Sequence, residues 1–332
     1  MKRVVCFLTV ACLLLCSGCV FGDPAEVLYE NLCAFSPSFD LWTDDVTSVF
    51  VQVLKEHPEL QVYVGQVKTS GTRLRQTVSV TYQNTDIPRD SIRVGKAEEI
   101  ALPALRATLD EVAMRGVTVL LDGGAQEDVE GWMEEIADRH YLSYMGLTDT
   151  AWTFYNNDFT EDTVVVCEVQ YNTDADTIIE QRKKIEAEVT RLSGQLWTTD
   201  SAPEIRVRAI HDHLIKNANY VEADTPADHT PYNILFEGRG VCDGYAYAAK
   251  LLLDAAGVEN RVVTGKAGGG DHRWNLVRLG EEWYHLDITW DDPVSTDGKE
   301  HHTYDYYLKS DATMQADHEW EGEYPTCAED YK

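Results

Sequence analysis

Basic residues are scarce in this chain: 28 Lys and Arg stand against 57 Asp and Glu in 332 residues, a formal charge of −29. Nucleic acid and anionic membrane surfaces are held by Lys and Arg that neutralise phosphates, so the composition excludes both as partners. Beyond the N-terminal Cys16-Ser17-Gly18-Cys19 no cysteines stand in CxxC spacing, which excludes a zinc ribbon. The sequence has no Gly-rich loop ending in Lys-Ser or Lys-Thr, as a phosphate loop would. Against these absences stand 44% hydrophobic and 10% aromatic residues, with 8 Trp and 17 Tyr. That content exceeds what a solvated polyanion needs and predicts one large folded domain or two.

At the N-terminus Lys2 and Arg3 precede an apolar run from Val4 to Leu15, which ends in Cys16-Ser17-Gly18-Cys19. The run is too short for a permanent span and reads as a signal peptide. Small residues followed by Cys19 resemble the lipobox of bacterial lipoproteins, with Cys16 standing where Leu is usual; an ordinary signal is the alternative. The resemblance implies lipidation of Cys19 and a cell-surface lipoprotein on the outer side of the cytoplasmic membrane. Loss of residues 1–18 leaves 26 basic against 57 acidic residues, a net of −31, so only the lipid would hold the protein at a membrane. Cys33, Cys167, Cys242 and Cys327 remain, too few for a disulfide framework, with one bridge between Cys33 and Cys327 left open.

Residues 19–42 are expected as a lipid-anchored segment and 43–175 as an α+β region with an internal echo. Asp45-Val46 stands twelve residues before His57, and Asp128-Val129 twelve before His140. β-like sequence follows each time, at Leu60–Val67 with Leu74–Tyr82 and at Leu142–Phe154 with Thr163–Tyr171. Two helix plus β-hairpin units are predicted. Between them the pattern predicts a helix over 97–115, despite Pro103, and a short strand over 117–122. Ile178, Ile179, Ile185, Val189 and Leu192 form a stripe on a connecting helix over 176–200, and Pro203 opens the next helix of a 201–315 domain. Residues 316–332 read as a tail. His211 and His213, two apart, do not share a helical face, so packing explains them better than a metal.

The chemistry concentrates between Gly238 and Pro293. Gly240-Val241-Cys242-Asp243-Gly244 delivers a Cys into a helix that Gly257 closes. A thiol there sees the positive end of the helix dipole, and free N–H groups could hold an oxyanion. On this segment alone a buried structural Cys explains the residue equally well. Downstream, His272 opens a strand to Leu279, and Glu282–Ile288 carries Asp287. A two-residue turn at Leu279-Gly280 sets His272 opposite Asp287, and one at Gly280-Glu281 sets them diagonally on one face; an odd-length turn separates them. An acid on the far nitrogen fixes the imidazole tautomer and leaves the other nitrogen for the thiol.

The blocks Gly240-Val241-Cys242-Asp243-Gly244-Tyr245-Ala246, His272-Arg273-Trp274-Asn275 and Trp283-Tyr284-His285-Leu286-Asp287-Ile288-Thr289-Trp290-Asp291-Asp292-Pro293 resemble the transglutaminase-like superfamily, in its bacterial extracellular members. The likeness covers roughly Ile205 to Asp311. It implies an α+β fold with a papain-like core, the Cys helix packed on an antiparallel sheet, and Cys242, His272 and Asp287 as nucleophile, acid-base and orienting acid. Arg273 stands where Ala is common. Tyr232, Asn233, Asp243, Trp274 and His285 are possible cleft or substrate residues, with packing the stronger reading for Trp274 and a turn role at least as strong for Tyr232 and Asn233. Gly265–Gly270 reads as flexible access to His272. Asp291-Asp292-Pro293 with Asp297-Gly298 lacks EF-hand spacing, so turn and capping roles outrank calcium. No cofactor or metal is expected. A peptide or protein substrate is expected, with cationic peptides favoured by the charge, and hydrolysis of amide bonds is the leading activity. A glutamine-lysine cross-linker is the alternative, and a binding lipoprotein without turnover is disfavoured by the complete triad.

Overall fold

The computed structural model describes residues 22–122, 129–221, 224–292 and 303–332. The signal segment, Cys19, Asp128, Pro293 and Asp297-Gly298 lie outside the described residues. Two compact units share the chain: residues 1–94 with 119–123 and 155–164, and residues 95–118 with 124–154 and 165–332. Among the described residues no helix is long and apolar enough to cross a membrane.

In the first unit, helix α1 (Pro24–Cys33) starts where the Asp23 side chain accepts the Ala25 N–H at 3.0 Å. Strand β1 (Ser38–Leu41) follows, then α2 (Val46–Glu56), capped by Asp45 on the Ser48 N–H at 2.9 Å. Phe50, Val53 and Leu54 form the buried face of α2. Strands β2 (Val64–Thr72) and β3 (Arg75–Tyr82) form a hairpin, and the sheet order is β1-β3-β2. The strand begins at Val64, not Leu60, because Pro58–Val62 winds into a 3₁₀ turn that buries Leu60 and Val62. Strand β4 (Ile92–Gly95) follows.

The second unit opens with α3 (Ala97–Asp110), which carries Pro103 inside and buries Ala101, Leu105 and Leu109. It stops five residues earlier than the pattern predicts, and β5 (Arg115–Leu120) begins at Arg115, where the pattern ends the helix. Helices α4 (Val129–Arg139) and α5 (Tyr141–Tyr144) precede strands β6 (Leu147–Asn156) and β7 (Thr163–Tyr171), with β7 between β5 and β6. Leu142 to Tyr144, read as strand, form the short helix α5, where Tyr141 stacks on Tyr247. Both predicted helix plus hairpin units are therefore present. Helix α6 (Ala175–Leu196) buries Ile178, Ile185 and Leu192, and its buried Arg182 donates to the carbonyls of Leu109, Ser143 and Met145 at 2.8 to 3.0 Å.

Helix α7 (Pro203–Asn217), the short parallel pair β8 (Asn219–Tyr220) and β9 (Arg239–Gly240), and α8 (Cys242–Ala255) follow. Strands β10 (Asn260–Ala267), β11 (Gly270–Leu279) and β12 (Glu282–Leu286) are joined in space by β13 (Tyr307–Lys309) and, after α9 (Asp311–Met314), by β14 (His318–Trp320). Their order is β13-β12-β11-β10-β14, with every neighbouring pair antiparallel. Tyr245, Ala248, Ala249, Leu252 and Leu253 of α8 pack in one core with Val277, Leu286 and Ile288 from the sheet side. The α+β fold, with the Cys helix on an antiparallel sheet, is that of a papain-like core.

Gly268 and Gly269 make the tight turn between β10 and β11, with φ of +58° and +86°. That region is thus a hairpin turn, not the flexible access segment expected from its glycines. Among the described residues Cys33, Cys167, Cys242 and Cys327 are free thiols, so Cys33 and Cys327 are not bridged.

Helix α8 begins against the 226–230 turn, and a Cβ on Gly244 would lie 2.9 Å from the Asp228 carbonyl oxygen and 3.2 Å from that of Thr230. Backbone cannot yield as a side chain can. Gly244→Ala should therefore cost about 1–3 kcal/mol, read as a lower urea midpoint with an unchanged slope.

Candidate active site

Cys242 is the first residue of α8, and Val241 before it is extended and makes no side-chain cap. The first-turn N–H groups are thus left for another acceptor, beside a half-buried thiol. Gly280 at φ +65° and Glu281 make the two-residue turn between β11 and β12, since Leu279 pairs with Glu282. The same register pairs Asn275 with Leu286, which sets His272 and Asp287 diagonally on one face. His272 Nε2 lies 2.6 Å from Asp287 Oδ2, and Cys242 is near enough to His272 to favour charge on the imidazole. With Nε2 on the acid, Nδ1 is the nitrogen left for sulfur.

Asp287 is fully buried and His272 is 8% exposed. Burial opposes charge on His272, but the Asp287 carboxylate and then Cys242 outweigh it and raise the imidazole to about 10. Burial likewise opposes ionisation of Asp287, and the His272 imidazolium, followed by His318, holds its carboxyl below the ordinary range. The Asp287 N–H donates to the Tyr306 carbonyl at 3.1 Å and its Oδ1 accepts the Trp290 N–H at 3.2 Å.

The other sequence candidates are placed differently. Asp243 accepts from Arg273 Nη1 at 2.8 Å and faces His229 Nδ1 at 2.8 Å. The second nitrogen of His229 meets Asp224; burial works against its charge, and Asp243 and Asp224 raise it. Arg273 is also raised, against burial, by Tyr247, Asp243 and Cys242, which puts its charge in range of the sulfur. These residues line a cavity of about 480 Å³ together with Tyr141, Tyr144 and Thr148. Trp274 is 1% exposed, and its indole N–H donates to His285 Nδ1 at 2.8 Å, so it packs beneath the site. His285 is buried as well, with Nε2 at 2.9 Å from Asp311. Asn233 Nδ2 donates to the buried Asp228, and Tyr232 packs on Phe236.

Sequence reasoning missed His318 altogether and missed the buried roles of Asp291 and Asp292. His318 Nε2 lies 3.0 Å from Asp287 Oδ2, on a strand assigned to the tail. Asp291 is buried and carries His211 Nε2 at 3.1 Å, the Thr303 hydroxyl and the Tyr306 N–H. Asp292 accepts the Tyr245 hydroxyl at 2.5 Å. Asp291 and Asp292 therefore brace the strand end from below, beyond the turn role expected of them. Only a pattern tying His318 to Asp287 across thirty-one residues could have found the first.

Two groups have ligand atoms close enough for a metal: His272, Asp287 and His318, and His285, Asp311 and Cys327. In the second, the donor-only indole of Trp274 occupies His285 Nδ1, so Nε2 carries the proton and donates to Asp311. Burial and Asp311 also push the Cys327 thiol up, away from the thiolate a metal needs. In the first, both Nε2 atoms face one carboxylate oxygen at hydrogen-bond distance, the arrangement of two N–H donors.

Residues 190–288 match the family model of the transglutaminase-like superfamily. This part of the chain is similar to a transglutaminase-like core. No curated protein sequence matches the chain. Among solved structures, a candidate cysteine protease from Cytophaga hutchinsonii is 15% identical, with 43% of this chain and 65% of that one covered and a TM-score of 0.29. A structure described as a TGase is 13% identical, covering 70% of this chain and 67% of its own, with a TM-score of 0.30. A candidate protease from Parabacteroides distasonis is 11% identical, over 52% and 39%, at 0.26. The chain spans just under two thirds of the first of these, and at such scores the likenesses carry no weight.

For a histidine raised above its ordinary 6.5, the stabilisation is fully present below that value and disappears as pH rises through about 10. An NMR titration of the His272 ring should therefore show a midpoint near 10. In Asp287→Asn the midpoint should fall towards the ordinary value, because the largest favourable contribution has gone.

Proposed function

We propose that this protein is a thiol enzyme that cleaves amide bonds in peptides. The reading rests on one observation: Cys242 sits within electrostatic reach of a His272 ring whose Nε2 is held 2.6 Å from a fully buried Asp287. Cys242 Sγ attacks the amide carbonyl carbon, and N–H groups of the first turn of α8 hold the oxyanion. His272 then gives its Nδ1 proton to the leaving nitrogen as the C–N bond breaks, leaving a thioester and a free amine. Water attacks the thioester, His272 takes one of its protons, and the acid departs as the thiol is restored. Asp287 keeps the imidazole in the tautomer both steps need.

Transfer of the acyl group to an amine shares every step up to the thioester and requires water to be kept out. Hydrolysis is favoured because Cys242 is half-buried, not sealed, and the neighbouring cavity is lined by Asp224, His229, Asp243 and Arg273, groups that hold water. Acylation of Cys19 would place the enzyme outside the cytoplasmic membrane, and its charge would favour cationic peptides at low salt.

A neutral alkylating reagent at pH 7 should modify Cys242 in preference to Cys33 and to the buried Cys167 and Cys327, and His272→Ala should slow that reaction by roughly a hundredfold. Equal rates at Cys242 and Cys33 would remove the enzyme reading. Glutamine peptides incubated with a primary amine should yield cleaved or deamidated products by mass spectrometry; dominant amine incorporation would replace hydrolysis with cross-linking. Cys19→Ala should release the protein from the membrane fraction.

A further inference from the structure

We propose that His318 is a positioning residue of the triad: it clamps Asp287 from the side opposite His272 and so sets the orientation of the catalytic imidazole. This rests on the proposed roles of Cys242, His272 and Asp287. The family match ends at residue 288, and His318 lies thirty residues beyond it.

Asp287 Oδ2 faces two imidazoles at once, His272 Nε2 at 2.6 Å and His318 Nε2 at 3.0 Å. All three side chains are buried, with Asp287 and His318 sealed from solvent. Rotation of an aspartate carboxylate about its last torsion is intrinsically soft. The Trp290 N–H on Oδ1, at 3.2 Å, is a long bond. The second N–H on Oδ2 therefore restricts that rotation and keeps the shared oxygen aimed at His272.

His318 is itself built into place. Its Nδ1 lies 2.6 Å from Asp317 Oδ1, and Asp317 Oδ2 accepts the Tyr306 hydroxyl at 2.6 Å. The Tyr306 carbonyl accepts the Asp287 N–H, so one residue anchors both the backbone of the acid and the partner of its clamp. Trp274, Trp290 and Tyr306 surround the His318 ring at centroid distances of 4.6 to 5.4 Å. Strand β14 pairs with β10, Ala267 opposite His318, and the Asp317 carbonyl accepts the N–H of Gly268 in the turn that leads into His272. A C-terminal strand thus returns to complete the orienting side of the site.

The test compares His318→Ala, His318→Asn and His318→Gln in the full chain. Gln can present an N–H near the position of Nε2, whereas Asn fills part of the space but is too short to reach Asp287. Two signals are followed: the Cys242 alkylation rate and the far-downfield proton resonance of His272 Nε2–H. Ala and Asn should slow alkylation by about tenfold or more, the scale for losing a partner that orients a functional histidine, and should shift or broaden the resonance. Gln should stay within about threefold of the parent and keep the resonance. Should Ala fail to fold, Asn against Gln decides.

Parent-like behaviour of Ala and Asn would overturn the proposal, as would equal losses in Asn and Gln, which would mean packing alone. A stoichiometric metal in the purified protein, absent from every His318 variant, would also overturn it by making the residue a ligand. If Cys242 proves unreactive in the parent protein, the triad reading fails, while the resonance still reports whether His318 positions the Asp287–His272 pair.

Discussion

A buried carboxylate is the constraint around which the catalytic half of this molecule is arranged. Asp287 is removed from water entirely, and an isolated anion there would be neutralised by taking up a proton. It stays charged because donors surround it: His272, His318 and the Trp290 backbone. The same attraction keeps His272 protonated, so acid and imidazole hold each other in their ionised forms. Removing either partner leaves an uncompensated charge in the interior, which is far more costly than losing the pair together.

Bringing those donors to one oxygen dictates much of the local architecture. The Gly280-Glu281 turn sets the register that joins β11 to β12 on the correct face, and Gly268-Gly269 closes the preceding hairpin so that β10 can receive β14. Beneath β12, Trp274, His285 and Asp311 form a hydrogen-bonded line whose tautomer is fixed by the indole. Asp291 and Asp292 tie the end of the strand to α7 and α8 through His211 and Tyr245. Cys242 arrives from the opposite direction on α8, where Gly240 and Gly244 allow the backbone to pass against the Asp228 carbonyl. Asp228 accepts from Arg239 Nε and Nη2 and from the Thr225 N–H, and these bonds, with Arg239 foremost, hold its carboxyl far below the usual range.

The sequence alone carried the thiol, the imidazole and the acid, because each sits in a short block whose local grammar is strong: a glycine turn into a helix, a strand opened by His, and a strand ending in Asp. It also carried α6, α7 and α8, since their apolar residues recur at helical spacing, and the two helix plus hairpin units. Three-residue and four-residue elements were less legible. Leu60–Val62 and Leu142–Tyr144 are as apolar as strands, yet they lie in a 3₁₀ turn and a short helix that bury part of their side chains. Strand parity narrowed the His272–Asp287 geometry to two even turns, and the fold selected one of them.

What lay beyond the sequence is everything that depends on long-range return of the chain. His318 stands thirty-one residues from Asp287 in a segment that reads as a tail, with no periodicity to announce it. Its role exists only once β14 pairs with β10. The pairing of Asp243 with Arg273 and His229, and the buried duties of Asp291, likewise follow from contacts between elements far apart along the chain. Chemistry carried by neighbouring residues is written locally. The orientation of that chemistry is decided by which distant donors the fold brings to each charge.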